Sequence, residues 1–128
     1  LVENTAGSGN SVMQDLAHYG PLWDEIGQFD VGVCLDTCHT WAAGADMDTA
    51  VDVVTEAVGG IALVHCNDSK DESGSNRDRH ENLGEGMIPE DQLIGIIAAA
   101  GAPVICETPG DAERSAADIA WLRERLGR

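Results

Sequence analysis

Four short apolar runs, each stopping on a residue able to bind a metal ion, constrain this chain more than any other feature. Leu1-Val2 runs into Glu3, Val31-Gly32-Val33-Cys34-Leu35 into Asp36, Ile61-Ala62-Leu63-Val64 into His65, and Val104-Ile105-Cys106 into Glu107. Continuous β-branched runs suit strands buried on both faces of a parallel sheet, where neither face calls for polar residues. Between them lie segments of helical spacing. Leu16, Tyr19, Trp23 and Ile26 mark one over 15–26, which Gly20-Pro21 is expected to restart. Ala50, Val51, Val54 and Val58 mark a second over 48–58, ended by Gly59-Gly60. Leu93, Ile96 and Ile97 mark a third over 89–100, with Pro89 at its start and Gly101 after its end. Ala112, Ala116, Ile119, Leu122 and Leu126 mark a fourth over 111–126. Strands alternating with helices predict an α/β fold on a parallel sheet.

The strand ends matter more than the strands. In a (β/α)8 barrel the C-terminal ends of the strands converge on one axis, and the chemistry sits there. Glu3, Asp36, His65 and Glu107 converging in this way make a metal centre. Asp36-Thr37-Cys38-His39 adds a second imidazole three residues past a strand-end carboxylate. Asp78-Arg79-His80 adds a carboxylate and an imidazole two apart, in a Gly- and Ser-containing loop before the helix that begins at Pro89. His39, Asp78 and His80 thus form a second set of nitrogen and oxygen ligands, a mix that suits zinc, with manganese as the harder alternative.

Of the four cysteines, Cys34, Cys38, Cys66 and Cys106, three fall in or beside these strands. Side chains alternate along a strand, so Cys66 beside His65 and Cys106 beside Glu107 point away from the metal. Cys34 shares the inner side with Asp36 one layer deeper, and Cys38 is given a structural role. At 43% apolar content the chain does not call for disulfide staples, so reduced thiols and a cytoplasmic location are expected. No apolar run approaches the ~20 residues of a membrane span. His18 lies far from every strand end and reads as a surface residue. Asn67, Asp68 and Lys70 follow His65 closely enough to hydrogen-bond its neighbours or to cap and order the loop.

Net charge argues the other way from nucleic acid. Twenty-three acids face seven bases, giving −16, whereas nucleic-acid binders usually present a basic face. Several of the acids are candidate ligands, however, and Lys70, Arg77 and Arg79 cluster in the loop that carries Asp78 and His80.

Five ordered segments resemble the signature segments of the endonuclease IV family. They are Leu1-Val2-Glu3-Asn4-Thr5-Ala6-Gly7, Gly32-Val33-Cys34-Leu35-Asp36-Thr37-Cys38-His39, His65-Cys66-Asn67-Asp68-Ser69-Lys70, Asp78-Arg79-His80-Glu81-Asn82-Leu83-Gly84-Glu85-Gly86 and Cys106-Glu107-Thr108-Pro109. The resemblance implies a TIM (β/α)8 barrel of the xylose isomerase-like type, of which residues 1–128 would be the C-terminal half, with about the last four strands and their helices. It implies a DNA-repair endonuclease that hydrolyses the phosphodiester bond 5′ to abasic sites in double-stranded DNA, using three zinc ions. Glu3 would bridge the first and second metals, Asp36, His65 and Glu107 would complete the second, and His39, Asp78 and His80 would hold the third. Glu3 and Glu107 would stand at the catalytic centre, and Arg79 would contact a backbone phosphate. Two histidines of the first metal come from earlier strands in that family, so the barrel's N-terminal half is an expected partner. Little nuclease activity is expected of this chain alone.

A second enzyme class shares part of the pattern. TIM-barrel sugar isomerases and epimerases also place Glu, Asp, His and Glu at consecutive strand ends, around a single divalent metal. His39, Asp78 and His80 separate the two, since a one-metal isomerase has no use for them.

Overall fold

The computed structural model describes residues 1–127. Four parallel strands, β1 (Val2–Glu3), β2 (Val33–Asp36), β3 (Leu63–His65) and β6 (Val104–Ile105), lie side by side in that order. Glu3 pairs with Cys34, Asp36 with His65, and His65 with Ile105. This register brings the C-terminal ends of the strands together on one rim. The arrangement is an arc of parallel sheet with helices packed against it, as expected for part of a (β/α)8 barrel.

Burial on both faces holds for β2, whose four residues are all buried between two neighbouring strands. It does not hold at the ends of the arc. Ile105 in β6 is 48% exposed and Leu1 beside β1 is exposed, because an edge strand has a neighbour on one side only.

The helices α1 (Tyr19–Ile26), α3 (Ala50–Val58), α4 (Glu90–Ala100) and α5 (Ala112–Leu126) match the predicted segments within a few residues. Gly20-Pro21 restarts the first as expected. A short 3-10 turn over Leu16–His18 leads into α1, and Pro21 falls in the first helical turn, where its missing N–H costs nothing. Gly59 and Gly101 close α3 and α4 at φ +89° and +60°, a region open to glycine but strained for other residues. Val54 of α3, Leu93 and Ile96 of α4, Tyr19 of α1, and Val33, Leu35 and Val64 of the sheet form the centre of the core.

One predicted stripe is corrected. In α5, Leu122 is buried, but Ile119 is 45% exposed and Ala112 and Ala116 face solvent. The inward residue one turn before Leu122 is Asp118, only 4% exposed. Polar loop groups, rather than apolar strand residues, cover that part of the helix, and they need a hydrogen-bond acceptor.

Three elements have no counterpart among the expectations. The helix α2 (Thr37–Ala42) starts directly at the end of β2. A two-stranded antiparallel pair, β4 (Asp68–Ser69) with β5 (His80–Glu81), closes the loop that carries Asp78 and His80.

Candidate metal centre

Asp36 is the hub of the site. It is fully buried at the tip of β2 and caps α2, with its Oδ1 accepting from the backbone N–H of His39 at 2.8 Å. That hydrogen bond begins the helix and places the His39 side chain one turn along it. Burial pushes the Asp36 carboxyl up from the usual carboxylate range, against the opposing pull of His39, His80 and the Asn67 amide. A buried carboxylate pressed this way is well matched to a cation that would neutralise it.

His65 reaches the same spot from β3. Its Nδ1 lies 3.2 Å from Glu3 Oε1, 3.1 Å from Glu107 Oε2 and 3.8 Å from Asp36 Oδ2. Glu3, Asp36, His65 and Glu107 therefore meet as expected. Ligand atoms of Asp36, His65 and Glu107 all lie within 4.8 Å of one another, and so do those of Glu3, Asp36 and His39.

His39, Asp78 and His80 form the second set, within the same limit. His39 Nε2 is 3.1 Å from Asp78 Oδ2, and His80 Nε2 is 3.2 Å from Asp78 Oδ1. The other ring nitrogens point at backbone carbonyls: His39 Nδ1 lies 2.9 Å from Asn4 O, and His80 Nδ1 3.1 Å from Glu107 O. A carbonyl can only accept, so each Nδ1 carries the proton and each Nε2 of the neutral ring is left with a bare lone pair. Both Nε2 atoms are buried without a hydrogen-bond partner. Orphaned imidazole lone pairs converging on a carboxylate fit a bound metal ion well. Burial alone would lower the His39 pKa, but Asp36 and Asp78 outweigh it and raise the net value.

The loop between β4 and β5 is pinned so that Asp78 can reach His39. The backbone N–H groups of Gly74 and Asn76 donate to the carbonyls of Trp41 and Ala42 in α2, at 3.1 and 2.8 Å. The Trp41 indole donates to Asp71 O at 3.0 Å. Arg79 is engaged within the loop: its Nε donates to Asp71 Oδ2 at 2.6 Å and its Nη2 to Asp71 Oδ1. This pairing holds the Asp71 carboxyl below the usual range. Its guanidinium is more than half exposed and keeps further N–H groups free for another acceptor.

Two asparagines lock the ligands together. Asn67 is fully buried; its Nδ2 donates to Asp36 Oδ2 at 2.7 Å and its Oδ1 accepts from Glu107 N at 2.8 Å. Of the two roles open to it, bonding to ligands is the one it fills. Asn4 joins the ends of β1 and β2, donating to Asp36 O at 3.1 Å and accepting from Asp36 N at 2.8 Å. The sequence reading missed Asn4, although it directly follows a strand-end ligand. Asp68 orders a loop: it accepts backbone N–H bonds from Gly84, Gly86 and Ile88 at 3.0–3.1 Å. Lys70 is exposed and only its backbone takes part, donating to Arg79 O.

All four cysteines are free. Cys34 and Cys38 have sulfurs close enough to complete ligand groups with Glu3 and His65, and with Asp36 and His80. Burial pushes their thiols up to about 11 and about 12, which favours the neutral form. His18 is exposed, with Nδ1 2.7 Å from Val12 O. No helix among the described residues is long and apolar enough to cross a membrane.

Comparison with known proteins agrees with the fold. The family model described as the xylose isomerase-like TIM barrel matches residues 1–125. The chain belongs to that family. Within it, the chain is 53% identical over 126 residues to the protein named "Probable endonuclease 4" from Mycobacterium tuberculosis, covering 98% of this chain and 49% of that one. Endonuclease IV from Thermus thermophilus superimposes with a TM-score of 0.85 at 34% identity, over 99% of this chain and 49% of that one. The resemblance to endonuclease IV thus extends over nearly the whole chain. A D-tagatose 3-epimerase-like protein shares the barrel at a TM-score of 0.75, with 20% identity over 98% of this chain and 45% of that one. That likeness concerns the fold alone. The chain spans about half the length of the relatives it matches.

Proposed function

We propose that the chain is the C-terminal half of a zinc-dependent DNA-repair endonuclease that incises double-stranded DNA 5′ to abasic sites. The observation that carries this reading is the second ligand set. His39 and His80 present bare Nε2 atoms to Asp78, beside a separate set made by Glu3, Asp36, His65 and Glu107. A sugar isomerase of the same family needs only the latter. The relatives named endonuclease 4 and endonuclease IV favour the nuclease as well.

Divalent metal held by these residues would supply Lewis acidity toward a phosphoryl oxygen and lower the pKa of a bound water. The chain's own part is to aim the ligands. Glu3 faces both sets, since its Oε1 is 3.2 Å from His65 Nδ1 and 3.4 Å from His39 Nδ1. Glu107, 3.1 Å from His65 Nδ1, keeps about half of its side chain exposed and so remains open to a substrate. Arg79, braced by Asp71, is assigned to a DNA phosphate, where it would position the backbone without reading its sequence. The acidic balance of −16 leaves the basic surface for DNA to the rest of the barrel. That remainder would also bring the two further histidines implied by the family resemblance, so the isolated chain is assigned little nicking activity. The proposed location is the cytoplasm.

The test is a metal count on protein purified without added metal. Native mass spectrometry should find about two zinc ions per chain, and His80→Ala should remove about one of them. One ion in the unaltered chain, retained in His80→Ala, would favour the single-metal isomerase and sink the nuclease reading.

A further inference from the structure

We propose that Asp118, on the outer helix α5, is a positioning residue for the metal centre: it grips the segments following β5 and β6 and thereby fixes the aim of His80. Its carboxylate takes three donors. Asp118 Oδ2 accepts from Asn82 Nδ2 at 2.7 Å and from Thr108 Oγ1 at 2.5 Å, and Oδ1 accepts from Leu83 N at 3.0 Å. Asn82 and Leu83 come two and three residues after His80, and Thr108 comes one after Glu107. Asn82 strengthens the joint, donating also to Pro109 O at 3.0 Å and accepting from Arg114 Nη2 at 2.7 Å.

The consequence is felt at the imidazole. His80 Nδ1 is 3.1 Å from the carbonyl of Glu107, so the segments that Asp118 ties together are the ones that carry donor and acceptor of this hydrogen bond. While they stay in register, the Nδ1 proton is committed and Nε2 faces Asp78 bare. If the Glu107 carbonyl drifts, Asp78 competes for the proton and the ligand atom is masked. The burial of Asp118 supports such a role. An apolar residue would satisfy a helix face more cheaply than a carboxylate that needs three partners.

The inference rests on the proposed metal centre, and its test includes a measurement that needs no metal. Nitrogen-15 NMR of the imidazoles at pH 9, where an ordinary histidine is neutral, reports the tautomer of His80 in the metal-free chain. The unaltered chain should show His80 protonated on Nδ1. Asp118→Ala should shift it toward Nε2–H. Asp118→Asn, which keeps one acceptor oxygen, and Thr108→Val, which removes a single donor, should shift it less and cover the case in which the alanine variant fails to fold. Zinc affinity should weaken in the same order, by roughly 10- to 100-fold at the alanine end. A fixed Nδ1–H tautomer across all folded variants would overturn the role of Asp118. Failure of the unaltered chain to bind zinc would instead sink the metal centre and leave the tautomer to decide the role of Asp118.

Discussion

Asn67→Ala tests whether the ligands are held by a network rather than by their own rotamers. The Asn67 side chain bridges the Asp36 carboxylate to the backbone N–H of Glu107, with bonds of 2.7 and 2.8 Å and no exposure to solvent. Removing it deprives a buried carboxylate of a charge-assisted hydrogen bond and leaves the Glu107 N–H without a partner. The first loss is worth about 1.5–3 kcal/mol and the second about 1–3 kcal/mol. Some of this is recovered if water enters, so about 3 kcal/mol is expected, or roughly 10 °C in Tm for a chain of this length. Zinc affinity should fall by about 10- to 100-fold, as it does when a partner of a metal ligand is removed. Urea denaturation of the metal-free chain measures the first quantity and competition with a chromophoric chelator the second. A stability loss below about 1 kcal/mol with unaltered zinc affinity would show that Asp36 and Glu107 keep their places without Asn67.

Three further outcomes are expected. Gly86→Ala should destabilise the chain by about 2 kcal/mol or more, measured by urea denaturation, because a Cβ there would lie 2.5 Å from the Ser69 carbonyl and closer still to Asp68 Oδ1; a neutral effect would mean that the segment can move off Asp68. In the metal-free chain the raised pKa of His39 contributes stability that is complete below its ordinary value of 6.5 and is lost as pH rises through the higher folded value. Thermal melts should therefore fall from pH 6 to pH 8 less steeply in His39→Gln, while zinc affinity of the unaltered chain should rise with pH as protons cease to compete; equal slopes in the two proteins would remove His39 as the cause. In a protein carrying the whole barrel, Arg79→Ala should weaken DNA binding evenly across sequences and lower the salt slope by about one counterion in filter-binding titrations; an unchanged slope would leave Arg79 to its pairing with Asp71.

Local rules made most of the architecture readable in the sequence. The β-branched runs predicted the strands, and the glycines after residues 58 and 100 predicted where two helices stop, since both signals depend on the conformation of a few adjacent residues. Glu3, Asp36, His65 and Glu107 could be proposed as ligands because strand ends in this type of fold point at one axis, His39, Asp78 and His80 because they lie just beyond those ends or in the loop on that face, and the ordered motifs around them pointed to a family. Tertiary structure decided what one-dimensional spacing does not contain. Which imidazole nitrogen carries the proton depends on carbonyls of Asn4 and Glu107, 35 and 27 residues away in sequence. The roles of Asn67, Asn4 and Asp118 depend on hydrogen bonds spanning 10 to 40 residues. The apolar stripe foreseen on α5 is interrupted by Asp118 because burial is set by what a helix packs against, and α5 packs in part against polar loop groups that need a hydrogen-bond acceptor. Hydrophobic periodicity reports a helix's own surface, whereas the hydrogen-bonding demand of a distant loop enters only when the chain has folded.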